Sequence, residues 1–262
     1  MAKTLIITGG SSGIGKAAAE LFASDGYKVY ELSRHGESNG TITHIDCDVT
    51  VADDCRRAVK SVADAEGQIN VLISNAGMGI SGAVEFTEET DWKRQMDVNF
   101  NGAVNITQAV LPYMRQQPKG TARIIFTSSM ASVFSIPFQA FYSASKFAIN
   151  GFAMALKNEV RPFGIKVCCL LPGDVKTGFT AARKESYAGM EEYPRMKKAV
   201  EQMARDEQNG QQPQQLARKL LSLANSSCPY AFSTVGLQYK AFRILNRLLP
   251  TSLVYRIVGM MY

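Results

Sequence analysis

Tyr142 and Lys146 stand four residues apart in the stretch FYSASKF. Residues at that spacing share one face of a helix, so a phenol and an ammonium group would lie side by side. A cation held within roughly 4–6 Å favours the phenolate over the phenol, whose unperturbed pKa is about 10. In a chain with only 2 histidines, the pair is a candidate general acid and base. The spacing is equally that of an ordinary helix surface, because a chain with 10 tyrosines yields such a pair by chance about once. The surroundings decide between the two.

A second stretch with chemical potential is TGGSSGIG, in which Gly9, Ser11, Ser12, Gly13, Ile14 and Gly15 form a glycine- and serine-rich turn between an apolar run and a helical pattern. Glycines let backbone approach a pyrophosphate, and the following helix offers free N–H groups and the positive end of its dipole. A turn of this composition can also bind nothing. The next strand runs out in Ser33-Arg34 where an acidic residue would hold ribose hydroxyls. Arginine there suits a 2′-phosphate, which favours NADP(H) over NAD(H). Glu31 sits earlier and is expected to point along the strand.

The elements that must position these residues follow one theme. Apolar runs at 5–8, 28–32, 42–49, 69–74, 123–128 and 165–171 read as strands, and helical patterns fill 13–25, 51–66, 88–117 and 142–161. Strands of continuous Val, Ile and Leu alternating with helices predict one α/β domain, a doubly wound parallel sheet covered by helices on both faces. Ligands of such sheets lie at the carboxyl ends of the strands. With 262 residues, 46% hydrophobic and 20% charged, the chain has ample core. Its net charge of +6 is spread over 29 scattered basic residues, which does not indicate a nucleic-acid groove. The 5 cysteines show no CxxC and no histidine at ligand spacing, so no metal site is expected. Cys168 and Cys169 read as core, and a reduced, cytoplasmic setting follows. The apolar run after Lys3 is too short for a signal peptide, and no run of about 18 apolar residues that could span a membrane occurs.

TGGSSGIG, then NAG at 75–77, FTSSMAS, YSASK and PGDVKT at 172–177 resemble, in that order, the signature of the short-chain dehydrogenase/reductases, over residues 3 to about 178. The resemblance implies a single-domain Rossmann fold and NAD(P)-dependent oxidation of an alcohol or reduction of a carbonyl group. It implies that Asp48 and Val49 hold the adenine, that Asn75, Ala76 and Gly77 line the cofactor cleft, and that Pro172, Gly173, Val175 and Thr177 flank the nicotinamide. Ser129, thirteen residues before Tyr142, takes the catalytic serine position, with Ser128 its structural neighbour. The resemblance further makes Asn99 in VNFNG the fourth catalytic residue, expected to hold a water that links Lys146 to solvent. Tyr142 then exchanges the substrate proton, while Lys146 lowers the phenol's pKa and holds the nicotinamide ribose. Ser129 stabilises charge on the substrate oxygen.

The substrate end is less determined. The loops at 78–85 and 133–141 and the segment 178–212 bring Ile136, Pro137, Phe138, Gln139, Phe141, Phe179, Met190, Met196 and Met203. Ser129, Ile136, Phe138, Gln139, Tyr142 and Phe179 are the candidate substrate contacts. Apolar, adaptable linings suit a small hydrophobic alcohol or ketone, although the same residues at helical spacing serve equally as core. The C-terminus lacks the VDGG-like turn that helps many family members form tetramers, leaving a homodimer as the expected assembly. Its aromatic-rich strand followed by LNRLLP is similar to 17β-hydroxysteroid and retinol dehydrogenase relatives, which implies a steroid-, retinoid- or lipid-like substrate. Residues 237–262 form an amphipathic extension in which two apolar stripes interleave with basic residues. A lid, an anchor for peripheral membrane contact and simple packing all fit that pattern. Rival functions are a 3-oxoacyl-thioester reductase, a non-catalytic dinucleotide sensor, and a membrane-surface protein acting through its tail. The intact set of Asn99, Ser129, Tyr142 and Lys146 weighs against the sensor.

Overall fold

The computed structural model describes residues 2–262. In chain order the elements are β1 (Thr4–Thr8), α1 (Gly13–Ser24), β2 (Lys28–Ser33), β3 (Ile42–Asp46), α2 (Ala52–Glu66), β4 (Val71–Ser74), β5 (Ile80–Ser81), α3 (Glu89–Met96) and α4 (Gly102–Arg115). There follow β6 (Arg123–Thr127), α5 (Ala140–Glu159), β7 (Lys166–Leu170), α6 (Phe179–Ala182), β8 (Lys184–Glu185), α7 (Met196–Gln208), α8 (Pro213–Asn225), β9 (Phe232–Ser233), α9 (Leu237–Leu248) and α10 (Thr251–Met261). Seven strands form one parallel sheet in the order β3-β2-β1-β4-β6-β7-β9, and β5 pairs separately with β8. The chain winds outward from β1 to β3, then returns to place β4 on the other side of β1. The crevice for a dinucleotide opens at this reversal.

The pleat sorts the core. In β1, Leu5 and Ile7 pack with Ala18 and Phe22 of α1 and Leu216 and Leu220 of α8, whereas Ile6 faces the layer of α2, α4 and α5. Cys168 and Cys169 divide between the same two layers, as core residues should. Strands buried on both faces need this unbroken apolar character.

Element ends differ from the sequence expectation for local reasons. The third strand stops at Asp46 rather than 49, because Asp48 turns the chain by accepting hydrogen bonds from the amide and hydroxyl of Thr50 at 2.9 and 2.7 Å. The helical pattern at 88–117 is present as a continuous run from Glu89 to Arg115 with one irregularity. It is α3 and α4 joined by a wide, π-helical turn over Asp97–Asn101, a device found often at functional sites. No helix among the described residues is long and apolar enough to cross a membrane, and no cluster of metal-ligating side chains occurs among them.

The tightest steric constraint lies where α1 starts. A Cβ on Gly15 would sit 2.2 Å from the Gly9 carbonyl oxygen and 2.6 Å from the Asn75 amide nitrogen. Gly15→Ala should therefore destabilise the fold by roughly 1–3 kcal/mol, lowering Tm by about 2–10 °C for a chain of this size. Thermal unfolding followed by circular dichroism checks this; an unchanged Tm would show that the turn relaxes freely.

Candidate active site

The carboxyl ends of β1 and β4 are tied together by one threonine. Thr8 Oγ1 accepts hydrogen bonds from the backbone N–H groups of Asn75 and Ala76, each at 3.0 Å. In return the Asn75 side-chain amide donates to the carbonyls of Thr8 and Gly9 at 3.2 Å. This holds the glycine turn against the NAG segment. Gly9 and Gly13 adopt φ of 65° and 54°, a left-handed region costly for other residues. A Cβ on Gly9 would meet Ala76 at 3.0 Å, so the turn is as narrow as backbone allows. Helix α1 begins without a side-chain cap and without an acidic residue in its first turn. Its free N–H groups are thus available to an anion. Residues 9–15 and 75–77 fit a dinucleotide pyrophosphate.

A cavity of about 840 Å³ runs from this turn across the strand ends, lined in part by Gly9, Ser12, Gly13, Ile14, Asn75, Ala76 and Gly77. Further along, its wall is Ser129, Tyr142, Lys146, Pro172, Gly173, Val175 and Thr177, and then Ile136, Gln139 and Phe179. Thus most of the residues singled out in the sequence meet in one space. Ser11 is exposed at the edge of the turn and Gly15 is buried behind it.

The chemical centre lies on α5. Lys146 is 4% exposed and its ammonium donates to the Thr127 carbonyl at 3.0 Å, with Nζ 5.6 Å from the Tyr142 ring centroid. Burial draws the lysine's pKa down to about 8. Burial pushes the Tyr142 phenol up to about 12, against a Ser129 hydroxyl that pulls it down. Desolvation therefore outweighs the Ser129 hydrogen bond and the Arg183 charge, and Tyr142 stands as a neutral phenol in the free protein. Ser129 Oγ accepts from the Ala131 N–H at 3.0 Å, which fixes its side chain at the start of a short turn. Ser128 is buried and donates to Ser132 and the Lys146 carbonyl, a structural role as expected.

Asn99 lies in the π-helical turn and is 1% exposed. Its amide nitrogen donates to the Met78 carbonyl and to Ser145 Oγ, both at 3.0 Å, while Oδ1 accepts from the Met78 N–H at 2.8 Å. These contacts pin the loop after β4 against α5. Gly77 sits between Asn99 and Lys146, where a Cβ would lie 3.4 Å from Asn99 Oδ1 and 3.6 Å from Lys146 Nζ.

Several expectations shift. Arg34 is exposed at the end of β2. Glu31 does not point along its strand: its carboxylate turns back to accept from the Gly10 N–H at 2.9 Å and meets His44 Nδ1 at 2.5 Å. Burial lowers the His44 pKa, but hydrogen bonds to Glu31 and Asp46 outweigh it and the net shift is upward. Asp48 and Val49, expected at the adenine, do not line the cavity; Asp48 caps its own turn and Val49 packs against Gly102. Phe138 is not a cavity residue either. It takes φ of 61°, and its ring packs edge-on to Tyr193 at 6.3 Å. Phe141 stacks on Trp92 at 5.7 Å, and Met196 and Met203 are core.

The apolar end of the cavity comes instead from the tail, through Phe242, Leu245, Leu249, Val254, Ile257, Val258 and Met261. Tyr239 at the root of α9 was missed by sequence reasoning. Its hydroxyl donates to Asp174 Oδ2 at 2.8 Å and accepts from the Asp174 N–H at 2.9 Å. Its ring lies where a Cβ on Gly173 would be only 2.1 Å away. Asp174, Asp206 and Glu207 also line the cavity. Glu207 is paired with the buried guanidinium of Arg183 at 2.8 Å and receives the Thr180 hydroxyl at 2.6 Å. Burial raises the carboxyl pKa of both Asp174 and Glu207.

Residues 3–188 match the short chain dehydrogenase family. The chain is 42% identical over 241 residues to a 3-ketodihydrosphingosine reductase of Bacteroides thetaiotaomicron, an alignment covering 88% of this chain and 87% of the relative. It is 33% identical over 189 residues to a 3-oxoacyl-(acyl-carrier-protein) reductase of Thermotoga maritima, covering 68% and 76% respectively. Among solved structures, a short-chain dehydrogenase from Streptomyces avermitilis superposes with a TM-score of 0.84 at 26% identity, over 93% of this chain and 91% of that one. With the glycine turn, the Ser-Tyr-Lys set and the parallel sheet in place, the chain belongs to the short-chain dehydrogenase family of NAD(P)-dependent oxidoreductases.

Proposed function

We infer that this oxidoreductase reduces a long-chain ketone carrying a neighbouring amino group, of the kind that 3-ketodihydrosphingosine represents, and that it uses NADPH. The observation that carries this reading is the continuity of the cavity, which begins at Ser129 and Tyr142 and ends among the apolar residues of α9 and α10. A chain lying along it places a ketone at the phenol and its hydrocarbon in the tail. Of the wall carboxylates Asp174, Asp206 and Glu207, only Glu207 is paired with a cation among the described residues, the buried Arg183, and the three together suit an ammonium group close to that ketone. The relative from B. thetaiotaomicron supports the same chemistry. A steroid or retinoid would use the lining as well, but has no use for the carboxylates. Reduction of a 3-oxoacyl thioester is the second reading, supported by the relative from T. maritima.

When bound, the nicotinamide supplies the hydride; residues 9–15, 75–77 and 172–177 would hold the dinucleotide. Ser129 and Tyr142 donate hydrogen bonds to the ketone oxygen and stabilise the charge that grows there. Tyr142 gives up its proton to that oxygen, a role suited to a phenol that burial keeps protonated. Lys146, charged below a pKa of about 8, stabilises the phenolate left behind. Arg34 at the end of β2 would pair with a 2′-phosphate.

Measured as NADPH consumption, 3-ketodihydrosphingosine should give a kcat/KM at least about tenfold above those of 3-oxoacyl thioesters and steroid ketones, since a buried charge partner discriminates more strongly than apolar fit. The reverse order would move the assignment to the thioester class. Tyr142→Phe should lower kcat by about 10²–10⁴ while NADPH affinity holds, and the wild-type rate should fall as pH rises through about 8, where Lys146 loses its charge. A rate that stays flat to pH 10 would remove Lys146 from the proton step. Arg34→Ala should weaken NADPH roughly 10- to 100-fold by loss of a charge-assisted contact, leaving NADH within about twofold; equal loss of both in fluorescence titrations would make Arg34 a bystander.

A further inference from the structure

The charge of this protein is segregated. Residues 208–262 contain six basic and no acidic residues, so they carry the whole net charge of +6, and residues 1–207 are balanced with 23 of each sign. The two terminal helices also present apolar residues on the side facing away from the domain. In α9, Leu237, Ala241, Ile244 and Leu248 recur at helical spacing and are all exposed, Leu237 at 83% and Leu248 at 74%. In α10, Leu253 and Met260, seven residues apart, do the same, Met260 at 69%. Tyr239, Val254 and Val258 on the opposite faces are buried. Each helix is thus apolar on two sides, only one of which the domain covers.

Lys240, Arg247 and Arg256 lie beside these outward stripes, exposed and without an ion-pair or side-chain hydrogen-bond partner among the described residues. The substrate cavity opens on the same surface: Leu245, Ile257 and Met261 belong to its wall and are also exposed. We propose that this face docks on an anionic lipid bilayer, the apolar stripes entering the acyl boundary and the cations meeting the headgroups. Charge decides the occupant. A second copy would bring one all-cationic face against another, whereas anionic lipid is complementary to it, at about a fivefold gain in partition for each cation. An amphipathic helix with Lys and Arg flanking its apolar face is the interfacial pattern, and an exposed apolar patch of this kind on a soluble fold marks an interaction site. The mouth of the cavity then faces the phase in which a long-chain ketone dissolves. That last benefit rests on the proposed function; the docking itself does not require it.

The test is co-sedimentation of the full chain with phosphatidylcholine vesicles, with and without about 30 mol % phosphatidylglycerol, at about 0.15 M salt. The wild type should bind the anionic vesicles at least about tenfold more tightly than the neutral ones. Lys240→Glu with Arg247→Glu should weaken anionic-vesicle binding by at least about 25-fold. Leu248→Asp with Met260→Asp should abolish it, and both variants should keep wild-type NADPH affinity and circular dichroism. Since no turnover is read, a wrong substrate assignment leaves these outcomes intact. Equal binding to neutral and anionic vesicles, or none to either, overturns the proposal. So does a wild-type dimer in sedimentation velocity that Leu248→Asp with Met260→Asp converts to monomer, which would make the face a contact between copies.

Discussion

Everything at the site depends on the gap between β1 and β4 being held at one width. In a doubly wound sheet the strand order reverses there, so the loops that leave the carboxyl ends of β1 and β4 diverge. Thr8 closes it with two accepted hydrogen bonds, and Asn75 closes it again with two donated ones. The glycine turn can then be narrow, because its far wall is fixed. Gly9 and Gly15 leave no space for side chains, which lets α1 present its uncapped N-terminus to the cavity. The pinning of Met78 by Asn99 extends the same constraint to the wall beside Lys146.

From that frame the electrostatics of the centre follow. Lys146 is buried and Tyr142 half-buried on the cavity wall, and desolvation acts on them in opposite directions, raising the phenol to about 12 and lowering the ammonium to about 8. Each is thereby pushed toward its neutral form. A desolvated phenol is a proton donor in waiting, and the protein has no need of its 2 histidines for that step. His44 is occupied elsewhere, bridging Glu31 and Asp46 behind the glycine turn.

Much of this was legible in the sequence, for a physical reason. The glycine turn, Ser129, Tyr142 and Lys146 work through short, fixed chain separations, and such separations survive as motifs. The parallel sheet was legible because strands buried on both faces cannot alternate with polar residues. What escaped reading depends on contacts between distant segments. Glu31 and His44 are opposite one another only in the register of β2 and β3. Phe138 has a left-handed backbone, at a cost of about 1–3 kcal/mol, and its ring packs on Tyr193 rather than in the cavity. The methionines of α7 were expected at the substrate and are core, because α9 and α10 take that place. Apolar periodicity alone does not say which of two amphipathic segments reaches the cavity.

The packing of Tyr239 on Gly173 has a mechanical consequence. To swing α9 away from the domain, this ring must leave the surface of the PGD loop and break two hydrogen bonds to Asp174. These contacts alone are worth about 2 kcal/mol for the ring and about 1 for each bond, and Arg243 adds a further hydrogen bond to the Phe232 carbonyl. The second helix is held more lightly, by Val254, Val258 and a few polar contacts at its rim, and Pro250 interrupts the chain before it. The root of the tail is thus clamped, and Leu249 and Pro250 separate it from the last helix. Any loosening of the tail would begin in the eleven residues of its last helix and leave the contacts on the PGD loop in place.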